Sequence, residues 1–505
     1  MRFRQAAVAL SLGVLSATSA MAGDFIDTRL AFSFGDDNIL AKSGETTPNS
    51  PDAKFGAGCQ NTQFYDNFNS RYCGFETLTH LILYKKGETF FPGLTTEAAL
   101  AILLLEQTNG TAALADDSSY VRLTYRGANW GVNEGISLTG FPVSADRFRL
   151  GYAYRITWGG SSVFSARGTT TAAPGAKLQL TRDRWYAFVG AKSTLISNDL
   201  IHEQETQYGL LGGAGVDITP QLRLEANGGW FQKGIIPDLA AQGVSAPVRA
   251  AGVSAEAVYH LGVPVGQSVD LALYRNDPTY RQVFFAPEAY PRGVSFTVSL
   301  EGSYRVQTME DPDVFAKTVP QAAIAGALQG RLKVNKFRFN LLADYRTVSV
   351  IQFDVPGYPP FKDFPRGALT KPEAFVALGM DYFVATPHLT PGFIVGLQNP
   401  ASITSPRTGL GGNNPPPGLT GSRTVVFRDT NYVSVLPTGQ SALPIFSAKA
   451  TCKWDISETF AAVAEAYYTY DGNRVTFRDD TLGVAEPTFE KPHAIGFDAL
   501  LQARF

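Results

Sequence analysis

Ala494-Ile495-Gly496-Phe497-Asp498-Ala499-Leu500-Leu501-Gln502-Ala503-Arg504-Phe505, the last twelve residues, carry the pattern on which the fold turns. Counting back from Phe505, every second residue is apolar: Phe505, Ala503, Leu501, Ala499, Phe497 and Ile495. Between them stand Arg504, Gln502, Leu500, Asp498 and Gly496. Side chains alternate across a strand, so the segment reads as a strand with one greasy and one mostly wet face. One such strand fits a soluble core or a bilayer equally well, and the decision rests on how often the pattern recurs.

It recurs along most of the chain. Tyr208, Leu210, Gly212, Ala214, Val216 and Ile218 share a parity, run into Thr219-Pro220-Gln221, and return as Leu222, Leu224, Ala226, Gly228 and Trp230. A short Pro-containing connection between alternating runs predicts a tight antiparallel hairpin. The same form appears from Ala322 through Asn335-Lys336 to Tyr345, and from Phe446 through Asp455–Glu458 to Tyr470. Val294 to Tyr304 adds a further strand. The cleanest alternation is Arg147 to Gly159, with Phe148, Leu150, Tyr152, Tyr154, Ile156 and Trp158 on one face and Arg147, Arg149 and Arg155 on the other. It is read as a membrane strand with aromatic ends. Phe75 to Lys85 and Leu94 to Glu106 are ambiguous, because apolar residues fill both parities.

Long stretches rich in Pro, Gly and polar residues separate the hairpins: 35–74, 232–247, 276–292, 354–371, 399–423 and 471–492. Short turns at one end and long loops at the other are not expected of a soluble sandwich or propeller, the competing all-β folds. Composition agrees. Charged residues are 17% against about a quarter in soluble domains, aromatics are 12% and glycines number 49. No apolar run is long enough for a spanning helix. With a net charge of −2, nothing points to nucleic acid.

Met1 to Ala22 has the form of an export signal: Arg2 and Arg4, an apolar stretch Ala6 to Leu15, and Ala20-Met21-Ala22 before a cleavage point at Gly23. Export makes a local disulfide between Cys59 and Cys73 the expectation, against two free thiols, with thirteen residues between them. Cys452 reads as a small outward-facing apolar residue. No spacing suggests a metal site. Gly209 to Gly215 imitates a phosphate loop but lies within a strand pattern and lacks the Gly-Lys-Ser/Thr ending. The five histidines show no nucleophile-and-base spacing, so neither an enzyme nor a cofactor is expected.

The leader, the repeated hairpins, the loop asymmetry and the aromatic terminus together resemble a porin-like outer-membrane β-barrel of Gram-negative bacteria. The fold expected is all-β: a transmembrane antiparallel β-barrel over residues 23–505, of about eighteen strands (sixteen to twenty), even in number, with short periplasmic turns and long extracellular loops. The resemblance implies outer-membrane lipid and lipopolysaccharide as surroundings. It also implies engagement of the barrel assembly machinery by the last strand, with Phe497 and Phe505 as its signal. Asn61 to Phe68 and Asp146 to Tyr154 are also similar to myxobacterial envelope barrels, some of them tied to gliding or polysaccharide export. That similarity implies a second role, a barrel anchoring an envelope complex through its loops.

The parity opposite the apolar sets carries fifteen Arg or Lys against seven Asp or Glu, an excess of eight basic groups facing the inferred lumen. A dry core would have to pair every one of them, whereas a wet lumen accommodates them. The reading is a pore for small polar, anionic solutes, with Arg147, Arg149, Arg155, Arg223, Arg338 and Arg346 setting selectivity.

Overall fold

The computed structural model describes residues 25–36, 38–43, 52–55, 80–106, 112–116, 118–151, 153, 156–164, 172–198, 200–262, 265–271, 293–354, 361–405, 421–429, 432–479 and 485–504. Among them, eighteen strands pair in sequence order: β1 (Phe25–Asp36), β2 (His80–Glu88), β3 (Leu94–Glu106), β4 (Tyr120–Tyr125), β5 (Gly135–Phe141), β6 (Gly175–Thr181), β7 (Trp185–Asn198), β8 (Glu203–Thr219), β9 (Leu222–Ile235), β10 (Pro247–Leu261), β11 (Val294–Glu310), β12 (Thr318–Val334), β13 (Phe337–Arg346), β14 (Glu373–Tyr382), β15 (Leu389–Asn399), β16 (Ile445–Asp455), β17 (Phe460–Asp471) and β18 (His493–Arg504). Each is antiparallel to the next. The last pairs with the first, Leu30 opposite Ala503 and Asp36 opposite Phe497. The fold is an all-β, membrane-spanning antiparallel barrel.

The parity read from sequence holds on these strands. On β8, Tyr208, Leu210, Val216 and Ile218 are exposed, while Gln207, Leu211 and Gly215 are buried. On β11, Val298, Leu300 and Tyr304 face out, while Ser299, Glu301, Ser303 and Arg305 face in. So many exposed Leu, Val, Phe and Tyr would be an aggregation surface in water and are the ordinary outer face of a strand in lipid. The ambiguous Leu94 to Glu106 is strand β3, and its partner β2 starts at His80. The short strand Ala112–Asp116 pairs with the second half of β3 ahead of β4. At the break between them the Ser119 hydroxyl takes the Ala101 N–H, at 2.9 Å.

Antiparallel order fixes which connections share an end. At the periplasmic end lie 89–93, 126–134, 182–184, 220–221, 335–336, 383–388 and 456–459; the long connections 37–79, 142–174, 347–372, 400–444 and 472–492 lie at the other. The connection from Gly262 to Gly293 leaves and rejoins the ring at the periplasmic end, and 276–292 lies outside the described residues. Two turn contacts fix this: Asn335 N–H donates to Gly293 O, and His260 N–H to Gln221 O. One expectation is corrected: Arg147 to Gly159 is not a strand of the ring. It lies within the 142–174 connection and doubles back on itself, with Leu150 and Trp158 exchanging backbone hydrogen bonds. The described members of its apolar parity, Phe148, Leu150, Ile156 and Trp158, are buried inside the barrel rather than facing lipid. The leader, Cys59, Cys73, Arg155 and Phe505 lie outside the described residues.

Two periplasmic turns are braced by Glu134, whose carboxylate accepts the N–H of Gly131 at 2.8 Å and of Asp183 at 3.1 Å, and meets Arg182 Nε at 3.1 Å. The Gly131 N–H above all holds this carboxyl below the usual carboxylate range; desolvation opposes it, and the Asp183 N–H and the Arg182 guanidinium add to the lowering. A lowered folded pKa stabilises above the unfolded value, about 4.3 for Glu, and the contribution vanishes as pH falls through the folded value. Glu134→Gln is therefore expected to lower the thermal midpoint at neutral pH and to converge with wild type in strong acid. A difference independent of pH would contradict the brace.

Ring closure generates a coarser expectation. Purified protein should run as a compact, SDS-resistant band that shifts on heating, because a closed barrel offers no edge at which to start unfolding. An unheated sample migrating as unfolded chain would contradict the ring.

Candidate functional site: a lumen entered from both ends

The inner wall from β5 to β9 carries large apolar side chains, Phe141, Tyr186, Phe188, Leu211 and Phe231, all buried. They are covered from within by Phe148, Trp158 and Phe164 of the 142–174 connection. Phe148 stacks on Phe141 at 6.1 Å and meets Phe188 edge-on at 5.9 Å. Trp158 and Phe164 both meet Phe231 edge-on, at 6.1 and 5.7 Å. Each fully buried ring contributes about 1.5–3 kcal/mol by area, and each aromatic pair about 0.5–1.5 more. Gly190 on β7 makes the approach possible, since a Cβ there would sit against the Phe148 ring.

The inserted segment then crosses to the wall of β11. Ala153 N–H donates to Glu301 Oε2 at 2.7 Å. Gly151, at φ +107, passes so close to the same carboxylate that a Cβ would overlap it. Ala153 and Ile156 join a second apolar cluster with Ile236 and Leu239 of the β9–β10 connection and with Val350 and Phe353 of the short helix Val348–Asp354. Chain also enters from the periplasmic end. Val265 O accepts from Arg223 Nη1 at 3.0 Å, Gln267 bonds Gln179, and Val269 is buried in the same cluster as Phe148.

The expected selectivity residues fall into two groups. Arg223, Arg338 and Arg346 are strand residues turned inward, and each is paired with a carboxylate. Arg223 Nε and Nη2 reach Asp217 at 2.7 and 2.8 Å. Arg338 Nε reaches Asp381 at 2.6 Å. Arg346 makes two 3.0 Å bonds to Glu373, which is fully buried and also takes Gln398 Nε2 at 2.9 Å. Arg147 and Arg149 instead ride on the inserted segment. Arg147 is buried, its N–H bonded to Ser118 Oγ at 3.0 Å, and Arg149 lies 3.8 Å from Asp146 and donates to Thr157 O at 3.2 Å.

The sequence count missed inward acids. Asp217 and Glu373 take two of the three pairs above, and Glu256 stands in register between Glu225 and Glu301 on adjacent strands β9, β10 and β11, all three buried. Lys449 with Glu465 at 2.8 Å and Arg428 with Asp471 at 2.8 Å continue the pairing. The excess of eight basic groups therefore overstates the charge of the wall. Glu256 was legible as the inward parity of Ala255 and Ala257; Glu373 sits at the edge of a loop, where parity gives no guide.

No protein-family model and no curated protein matches the sequence. Among solved structures, the chain is similar to the outer membrane protein OpdK of Pseudomonas aeruginosa (7% identity, TM-score 0.42, 95% of this chain and 98% of that one). It is also similar to the outer membrane channel DcaP of Acinetobacter baumannii (10%, 0.38, 96% and 99%). A third is OmpT, an outer membrane protein of Vibrio cholerae, in its trimer form (8%, 0.37, 96% and 100%). A ring of strands with an apolar outside and a charged inside is an outer-membrane architecture, and the bacterial outer membrane is where this chain resides.

The Arg346–Glu373 pair yields a mutational expectation. Arg346→Met leaves a buried carboxylate without its guanidinium and should destabilise the barrel by about 3–5 kcal/mol, whereas replacing both partners by Met should recover most of that loss. Urea unfolding in liposomes reads both; equal losses in the single and double variants would contradict the pairing.

Proposed function

We propose that the chain is an outer-membrane channel for small polar solutes, narrowed by the inserted 142–174 segment. The observation that carries this reading is the passage of that segment from the β5–β9 wall to Glu301 on β11, which puts protein across the lumen where a solute would pass. The paired wall charges leave selectivity to the constriction. The segment's stretch 145–159 contains Arg147, Arg149 and Arg155 against one acidic residue, Asp146. A narrow aqueous path lined by one sign favours the opposite ion, so the solutes preferred are anionic. The preference is modest, because at 0.1 M salt charges are screened over about 10 Å.

The dense apolar packing inside the barrel favours a second reading, in which the lumen is plugged and the barrel anchors an envelope complex through its loops. Planar-bilayer measurement of the reversal potential in a KCl gradient separates the two. Wild type is expected to be anion-selective, and replacing Arg147, Arg149 and Arg155 together by Gln should reduce that selectivity. A cation-selective wild type would overturn the charge assignment, and reproducible absence of conductance would favour the anchor.

A further inference from the structure

Lys192 lies on β7 with its side chain turned into the barrel and buried. Its ammonium donates to three backbone carbonyls of the inserted segment: Ala145 O at 2.7 Å, Phe148 O at 2.5 Å and Gly159 O at 2.6 Å. It also lies 5.0 Å from the centre of the Phe148 ring. An ammonium has three N–H donors, and all three are used here. None of the acceptors is a carboxylate, so the bonds do not form an ion pair; they form a cage of carbonyls around a cation, strengthened by the ring face. The three carbonyls have meaning in their positions. Ala145 and Phe148 precede the point where the segment doubles back through the Leu150–Trp158 pair, and Gly159 follows it. One side chain thus ties both limbs of the segment to the wall.

We propose that Lys192 is the positioning residue that sets how far this segment projects into the lumen, an inference that rests on the channel reading. Removing the ammonium takes a charged donor from three buried carbonyls, of which Ala145 O keeps the Phe148 N–H at 3.1 Å, and the segment relieves the loss by moving away from the wall or by admitting water. Deprotonation acts in the same direction: a neutral amine has two N–H groups for three carbonyls and no attraction to the ring. Arginine keeps its charge at any accessible pH. The charged groups facing Lys192 are Asp146 and Arg149 of the segment itself and Lys177 of β6, whose Nζ lies 5.7 Å from the centre of the same Phe148 ring.

The test compares wild type, Lys192→Met and Lys192→Arg in planar bilayers, together with hydrogen exchange of the segment's amides. Lys192→Met is expected to raise single-channel conductance roughly twofold or more, as when a constriction rather than the bore sets resistance. Amides of 145–159 should exchange faster while strand amides keep their protection. Wild-type conductance should rise reversibly at alkaline pH, and that rise should be absent in Lys192→Arg. Unchanged conductance and unchanged exchange in Lys192→Met would overturn the proposal. If Lys192→Met gives no heat-modifiable band, the pH comparison decides: no rise in wild type, or equal rises in wild type and Lys192→Arg, would overturn it. If wild type does not conduct, the channel reading fails by itself. Exchange then decides the role of Lys192, faster exchange confined to the segment supporting it and no change refuting it.

Discussion

Hydrocarbon supplies no partner for a backbone N–H or C=O, and that constraint organises everything else in the chain. A sheet meets it only by returning to its own first strand, here through the pairing of β18 with β1. Closure fixes an even strand number, alternates the ends at which connections emerge, and divides every strand into a lipid face and a lumen face. The outer Leu, Val, Phe and Tyr residues follow from the first face. The buried Arg–carboxylate pairs follow from the second.

The lumen of this barrel is not simply a wet bore. Along β5 to β9 it is an apolar core, built from wall rings and from Phe148, Trp158 and Phe164 of the inserted segment. Along β13 to β17 it is a lattice of charge pairs such as Arg346 with Glu373 and Lys449 with Glu465. Polar groups set within such packing need specific partners, because the surroundings no longer solvate them. Glu301 finds one in the Ala153 N–H and Lys192 finds three in backbone carbonyls. The same few residues therefore hold the segment in place and shape the passage beside it.

Much of this was legible in the sequence. The parity of Tyr208 to Ile218, the hairpin at Thr219-Pro220-Gln221 and the number of strands follow from period-two patterning, which a lipid-facing wall enforces strictly. Arg147 to Gly159 was misread for an equally physical reason. Alternation reveals that a segment has an apolar face, but it does not say whether lipid or another part of the protein covers that face. Lys192 carried no signal, since a lysine at a lumen parity reads as solvated, and its three carbonyl partners lie 33 to 47 residues away in sequence.

The central claim is that the described part of 145–164 lies inside the barrel and reaches the wall of β11. A photo-crosslinking amino acid in place of Ala153, activated in intact outer membranes, tests it most directly. The account predicts crosslinked peptides that map to Ser299–Arg305 of β11. Crosslinks to lipopolysaccharide or to the extracellular connections, with none to β11, would contradict it.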